Sequence, residues 1–305
     1  MRETKGLLLA LLALLAGGFA AWWVLELRRS HAADRVGAGG VLAKSLAIGA
    51  LTNFFDTLGV GSFAPTTALF RGLRLVPDRL LPGTLNVGHA LPSVVQALVF
   101  IAMVEVEPRT LGFMIGAAVA GAWLGAGAVA AWSQRRVQLG LGLALLVAAA
   151  LLARQLALGT PVGAQARSLA GARLAVGVAG NFALGALMTL GVGLYAPCMI
   201  LVTLLGMNAK AAFPIMMGSC AFLMPVAGVR FVAERAYALR AALGLALGGM
   251  PAVLVAAFVV RSLPLDAVRA LVLGVALYTA VSLLLAARKI TSGTPRTPPT
   301  RAPRC

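Results

Sequence analysis

The residues able to do chemistry are few, and most sit inside apolar runs. Asp56 is the only carboxylate well inside those runs, and His89 lies in the next one, between Gly88 and Pro92. An ionisable group at membrane depth is costly and marks a functional position by default. A histidine titrates near neutral pH and a desolvated carboxylate tends to hold its proton, so the two form a candidate proton-carrying pair. Two readings of each stand side by side. Asp56 either carries protons or satisfies backbone at a helix break. His89 either joins it or is a packed histidine bonded to a nearby carbonyl.

Around Asp56 runs the string TLGVG over 57–61, then SFAP over 62–65. The same string recurs over 189–193, followed by LYAP over 194–197, a spacing of 132 residues. Pro82 matches Pro214 at that spacing, and Pro92 matches Pro225 one residue later. From about Lys44 onward the chain is therefore two copies of one unit, and Leu7–Leu27 lies outside the repeat. Each copy opens with a run interrupted by glycine and proline, both of which break the backbone hydrogen-bond ladder. In lipid such a break survives only against protein or a wet cavity. Matching interrupted segments in two halves point to a transporter's substrate site. Half-helix N-termini there offer free N–H groups and partial positive charge, which suit an anion.

The expected substrate contacts are Asn53, Thr57, Gly59, Gly61, Pro65 and Asn86 in the first copy. In the second they are Thr189, Gly191, Gly193, Tyr195, Pro197 and Ser219. Asn86 and Ser219 follow the matched prolines at equivalent places, and Asn181 is a weaker candidate. Any one polar side chain here is more simply glue between helices. Lys210 is either an anion lure at a cavity mouth or a snorkelling lysine. Cys198 and Cys220 read as small apolar residues, and the spacing of the three cysteines fits neither a disulfide framework nor a metal site.

The elements that must hold these residues are membrane helices. Of 305 residues, 60% are hydrophobic and only 11% charged, with mean hydropathy +0.94. Soluble domains carry roughly a quarter charged residues. Apolar runs long enough for a span of about 20 residues cover Leu7–Leu27, Leu80–Val104, Leu111–Trp132, Val137–Ala153, Ala211–Val229, Ala241–Val260 and Ala270–Ala287. Two longer runs, Ser45–Phe70 and Leu174–Gly206, hold the breaks. The pairs Gly112/Gly116 and Gly121/Gly125 should allow close helix approach. The fold class is thus an all-α polytopic bundle. Residues 1–43 form an extra N-terminal helix, retained rather than cleaved, and its loop. The repeats cover 44–158 and 159–287, and a basic tail over 288–305 should be disordered.

The net charge is +17, from 26 basic and 9 acidic residues. The basic residues fill gaps between apolar runs, as in cytoplasmic loops, so nucleic acid is not the expected partner. If the broken runs are re-entrant hairpins, the halves are inverted, and 17 basic residues fall inside against 9 outside. If they cross, the halves are parallel and the split is 16 to 10. The rule does not choose; inverted halves are preferred because alternating access is easily built from them.

The stretch from TLGVGLYAP at 189–197 through LLGMN at 204–208, KAAFP at 210–214 and IMMGSC at 215–220 resembles the TauE/SafE family of sulfite exporters. The segment IGALTNFFD at 48–56 looks like that family's opening segment. The resemblance covers roughly 44–287. It implies a multi-pass bacterial inner-membrane protein exporting sulfite or a small organosulfonate. The N-terminal helix and basic tail depart from the family pattern.

No G-x-x-x-x-G-K-[ST] loop is present, so a gradient rather than ATP is the expected drive. Ser219 with His89 lacks the G-x-S-x-G elbow, so an intramembrane hydrolase is not expected. The alternative outside transport is a membrane scaffold. No cofactor or metal is expected. Membrane lipid and a small anion are the expected partners, with homo-oligomerisation left open.

Overall fold

The computed structural model describes residues 2–29, 39–130, 133–157, 166–188 and 193–291. These form eleven α-helices, with no strand among the described residues. They are α1 (Arg2–Arg29), α2 (Gly39–Thr57), α3 (Phe63–Gly72), α4 (Leu81–Met103), α5 (Pro108–Ala130), α6 (Gln134–Ala157), α7 (Gly171–Met188), α8 (Tyr195–Leu204), α9 (Ala212–Ala233), α10 (Leu239–Ser262) and α11 (Leu265–Thr291). Seven described helices are long and apolar enough to cross a bilayer: α1, α4, α6, α7, α9, α10 and α11. The chain is an all-α membrane protein. The basic tail lies outside the described residues from 292 onward, and α11 continues past Ala287 to Thr291.

The element order after α1 repeats. A long helix, a break and a ten-residue helix lead through one 3₁₀ turn into three long helices, and then the series starts again. The first break is a turn rather than a kink. Val60 N–H donates to Phe55 O at 3.1 Å and Gly59 N–H to Asp56 O at 2.8 Å, a Schellman closure. Gly59 sits at φ +98° and Gly61 at φ +85°, positions that favour glycine. Beyond the turn α3 runs back along α2. Phe70, near its end, shares a cluster with Ile48 and with Leu81 and Leu85 at the start of α4. The segment Ser45–Phe70 is therefore a re-entrant hairpin.

The second half repeats this from the opposite face. A Cβ on Gly180 would lie 2.7 Å from Leu201, and one on Gly177 would lie 3.3 Å from Leu205, so α8 descends beside α7. Contacts at the two ends fix the polarity. At one face the Trp23 indole donates to Tyr237 OH at 3.1 Å, and Ala238 N–H donates to Thr84 Oγ1 at 2.8 Å. At the other face Lys5 Nζ donates to Ala102 O at 3.0 Å. Glu107 N–H donates there to Arg167 O at 2.8 Å, and Lys210 Nζ to Leu263 O at 2.8 Å. The first hairpin enters from the Trp23 face and the second from the Lys5 face. The halves are inverted.

The halves are also interlocked. Each hairpin's long helix packs most extensively on a helix of the other half, α2 on α10 and α7 on α5. Glycines make this approach close. A Cβ on Gly185 would strike Ala118 O, and one on Gly121 would strike Phe182 O. The expected partner pair, Gly112 and Gly116, does not do this, since nothing lies within 4 Å of a Cβ at either position. The central seam is α4 against α9, where Phe100 and Phe213 stack at 5.2 Å.

Candidate functional site

The two hairpin tips meet deep in the bundle over a cavity of about 210 Å³. Asp56, Gly61, Ser62 and Phe63 line it from the first hairpin; Gly193, Leu194 and Tyr195 line it from the second. Ser93 of α4 and Met188, Cys220 and Met224 complete the inner wall. Gln138 of α6 and Tyr278, Thr279 and Ser282 of α11 extend it toward the Trp23 face, where α6 begins and α11 ends. Among the described residues, no lysine or arginine lines it, and Asp56 is its one carboxylate. Two polar atoms in this wall, Gln138 Oε1 and Thr279 Oγ1, are buried without a hydrogen-bond partner among the described residues. Groups of that kind call for a ligand or water.

A buried amide joins the two hairpins. Gln96 on α4 is fully buried. Its Nε2 donates to Asp56 Oδ2 at 2.8 Å and to Thr57 Oγ1 at 3.0 Å. Its Oε1 accepts from the Tyr195 hydroxyl at 2.7 Å. Ser62 lines the cavity beside the Asp56 carboxyl. Asp56 is thus held by the Gln96 amide donor, with no cation lining the cavity among the described residues. The position of Gln96 follows from α4. It lies one helical turn beyond Pro92, on the face that α2 and α8 cover.

His89 belongs to a different cluster. Its Nδ1 pairs with Asn53 Oδ1 at 3.0 Å and its Nε2 with Thr66 Oγ1 at 3.1 Å. Phe63 lies tilted against the ring at 5.9 Å. Both nitrogens are engaged, and neither reaches Asp56. Asn53 is held in turn, its Nδ2 donating to Gly49 O at 2.7 Å. The histidine therefore ties α2, α3 and α4 together at the root of the first hairpin tip.

The other expected contacts divide. Gly61, Gly193 and Tyr195 line the cavity, and Thr57 meets Gln96 behind it. Gly59 forms the turn, and its position faces Met199 on α8. Pro65 and Pro197 occupy the first turns of α3 and α8, where a missing N–H costs nothing. Ser219 faces away from the cavity, donating to Ile215 O at 2.8 Å and accepting from Asn181 Nδ2 at 3.2 Å. Asn181 also donates to Met114 O at 2.6 Å, so this pair pins α7 to α5 and α9. Asn86 lies on α4 outside the cavity wall, with Oδ1 buried and without a partner among the described residues. Thr189 and Gly191 lie outside the described residues. Lys210 is bound to the end of α10, away from the cavity.

Gln96, Ser93 and Gln138 carry much of the site's polarity and were not among the expected residues. The signal was present for one of them: Gln96 is an amide inside an apolar run, one turn past a proline. Cys220 lines the cavity, with its Sγ 3.9 Å from Met188 Sδ, and Ser93 Oγ donates to Met224 Sδ at 3.3 Å. The second half thus contributes a tyrosine and soft sulfur groups where the first contributes a carboxylate. No family model matches the chain, and neither do any curated protein or solved structure.

Proposed function

We propose that this protein is a secondary transporter that exports a small anion, sulfite or an organosulfonate, together with a proton. One observation carries the reading: two re-entrant hairpins, entering from opposite faces, meet at a small cavity whose one charged group among the described residues is Asp56. Inverted halves with broken segments facing each other at mid-depth are how alternating access is commonly built. The cavity is below the roughly 300 Å³ at which drug-sized ligand pockets begin, which favours a small solute.

The proton enters the argument through Asp56. An ionised carboxylate repels an anion in the same cavity, whereas the neutral acid removes the repulsion and adds a donor. Anion and proton therefore occupy the site together. The sidedness follows the arginines. Among the described residues, 13 basic residues belong to the Trp23 side and 9 to the other, which makes the Trp23 face cytoplasmic. The cavity extends toward that face, so this is an inward-facing form that loads from the cytoplasm. The substrate rests on the resemblance to sulfite exporters. The inner membrane follows from the same source.

The test is flux from proteoliposomes loaded with labelled sulfite, with and without a pH gradient. Gradient-sensitive efflux supports the reading. If sulfite fails, sulfonates and other oxyanions follow. No flux for any, from protein shown to be folded, sinks the transporter and favours a membrane scaffold.

A further inference from the structure

We propose that Gln96 is the positioning residue that links the protonation of Asp56 to the hydrogen-bonding state of Tyr195, so that the tyrosine offers its hydroxyl proton to the cavity only when Asp56 is neutral. The inference rests on the transporter reading for its consequence and on the three hydrogen bonds of Gln96 for its substance.

With Asp56 ionised, every group has one arrangement. The carboxylate can only accept, so Gln96 must turn Nε2 toward Asp56 Oδ2, at 2.8 Å, and Thr57 Oγ1, at 3.0 Å. Thr57 is free to accept because its own hydroxyl donates to Asn53 O at 2.8 Å. The amide's other end then presents Oε1 to Tyr195, which answers as a donor at 2.7 Å. The tyrosine proton is thereby committed to Gln96 and withheld from the cavity that Tyr195 lines.

A proton arriving at Asp56 from water reverses each step. The carboxyl now has an O–H that needs an acceptor, and the Gln96 amide supplies one by turning over, bringing Oε1 to Asp56. The Thr57 hydroxyl swings from Asn53 O to the same Oε1. Nε2 now faces the Tyr195 oxygen and donates to it. Tyr195 becomes the acceptor, and its own proton is released toward Ser93 and Cys220, which line the same cavity, or toward a bound anion. One proton enters and none leaves. The second Nε2 N–H gives up its acceptor, Thr57 Oγ1, and no backbone needs to move.

The other titratable groups around this chain are few. Tyr195 comes from α8 together with Cys198 behind it, Cys220 from α9, and Tyr278 from the α11 wall. His89 of α4 is engaged by Asn53 and Thr66. No basic residue of α10, the main neighbour of α2, faces Asp56: Arg240 and Arg261 lie at the helix ends. Asp56 is thus the group whose charge Gln96 reads.

The decisive experiment needs no substrate. Purified protein in lipid is examined by infrared difference spectroscopy between acid and alkaline pH. The chain has three tyrosines, so Tyr195→Phe assigns the tyrosine C–O band, and Asp56→Asn assigns the carboxyl C=O band. The expected result is that both bands follow one titration curve and that Asp56→Asn abolishes both. In Gln96→Leu the carboxyl band persists while the tyrosine band stops responding. Gln96→Met, which keeps the chain length, gives the same answer if the leucine variant does not fold. A Tyr195 band that is silent in the wild type, or that responds fully without Gln96, overturns the proposal. In proteoliposomes, Tyr195→Phe should weaken substrate binding about tenfold at acid pH and less than about twofold at alkaline pH, the worth of one hydrogen bond. An equal penalty at both ends counts against the link. Absence of any flux would sink the transporter reading alone, because the spectra decide Gln96 independently.

Discussion

The Tyr195 hydroxyl donates to Gln96 Oε1 at 2.7 Å, across the boundary between the two halves. Tyr195 begins α8 at the tip of one hairpin, while Gln96 holds Asp56 at the tip of the other. The relationship makes the hairpins one unit. Single substitutions Gln96→Leu and Tyr195→Phe each remove a buried hydrogen bond worth about 1 kcal/mol, and Gln96→Leu leaves further groups unpaired. The double variant should cost less than the sum of the singles, because both remove the same bond. Thermal unfolding of the four proteins in one detergent checks this, and strict additivity would contradict it.

Asp56→Asn should uncouple transport from the pH gradient. Asparagine keeps the side-chain shape and can still accept from Gln96, but it does not titrate. Sulfite efflux in this variant is expected to persist down its own gradient and to lose its response to an imposed pH difference. Parallel recordings of sulfite and proton flux check it. Efflux that still follows the proton gradient would return Asp56 to a structural role.

His89 should matter for stability and not for coupling. Its ring is fully buried and bonds helices α2 and α3 through Asn53 and Thr66. His89→Ala leaves a cavity and two unpaired polar groups, a loss of about 2–5 kcal/mol. His89→Gln should recover part of it and keep the wild-type dependence of flux on pH. A flattened pH profile in His89→Gln would place the histidine in the proton path after all.

The sequence showed the parts of this fold that repeat and hid those that do not. The two TLGVG strings, the matched prolines and the apolar runs disclosed a helical membrane bundle with two broken segments. Whether Ser45–Phe70 crosses or returns was undecidable from charge counts, because the loops on the two faces differ by a single residue between the two arrangements. The answer lay in packing, where Phe70 meets Ile48 and Leu81. Asp56 stood out as a lone carboxylate. Its partner did not, because Gln96 has no polar equivalent in the second half, where Val229 stands 133 residues later. Asn86 and Ser219 looked paired by position, yet Ser219 bonds Asn181 and neither lines the cavity. Symmetry located the hairpins, and the asymmetric residues inside them make the site.

Arg74 and Gly206 stand 132 residues apart at equivalent helix ends, and only one is a glycine. Gly206 has φ +92° and Arg74 φ +50°. Both close Schellman turns, with Leu75 N–H on Phe70 O at 3.0 Å and Met207 N–H on Val202 O at 3.2 Å. An L-residue in the left-handed region is strained by roughly 1–2 kcal/mol. Arg74 is exposed. Arg74→Gly should therefore raise stability by about 0.5–1 kcal/mol after the extra unfolded-state entropy of glycine is subtracted. Gly206→Arg should lower it. Melting temperatures of both variants decide the matter, and a destabilised Arg74→Gly would mean that the arginine side chain contributes more than its backbone costs.

Glu107, in the short link between α4 and α5, makes stability depend on acid. Partial burial pulls its carboxyl upward. Hydrogen bonds from the hydroxyl and backbone N–H of Thr110, at 2.7 and 2.9 Å, outweigh this, aided by the charge of Arg109, and hold it below the ordinary value of 4.5. A carboxyl depressed on folding binds its proton more readily in the unfolded chain. Its contribution is fully present above pH 4.5, the unfolded value, and is lost as pH falls through the lower folded value. The Thr110 hydroxyl also accepts from Leu169 N–H at 3.1 Å, so the carboxylate braces the start of α5 against the strand of chain that leads into α7. Glu107→Gln should therefore be less stable than wild type at pH 7, and the difference should shrink toward zero as pH falls from 4.5 through the lower folded value. Melting temperatures of the two proteins across that range check it. A gap that stays constant with pH would show that the side chain acts through packing rather than through its charge.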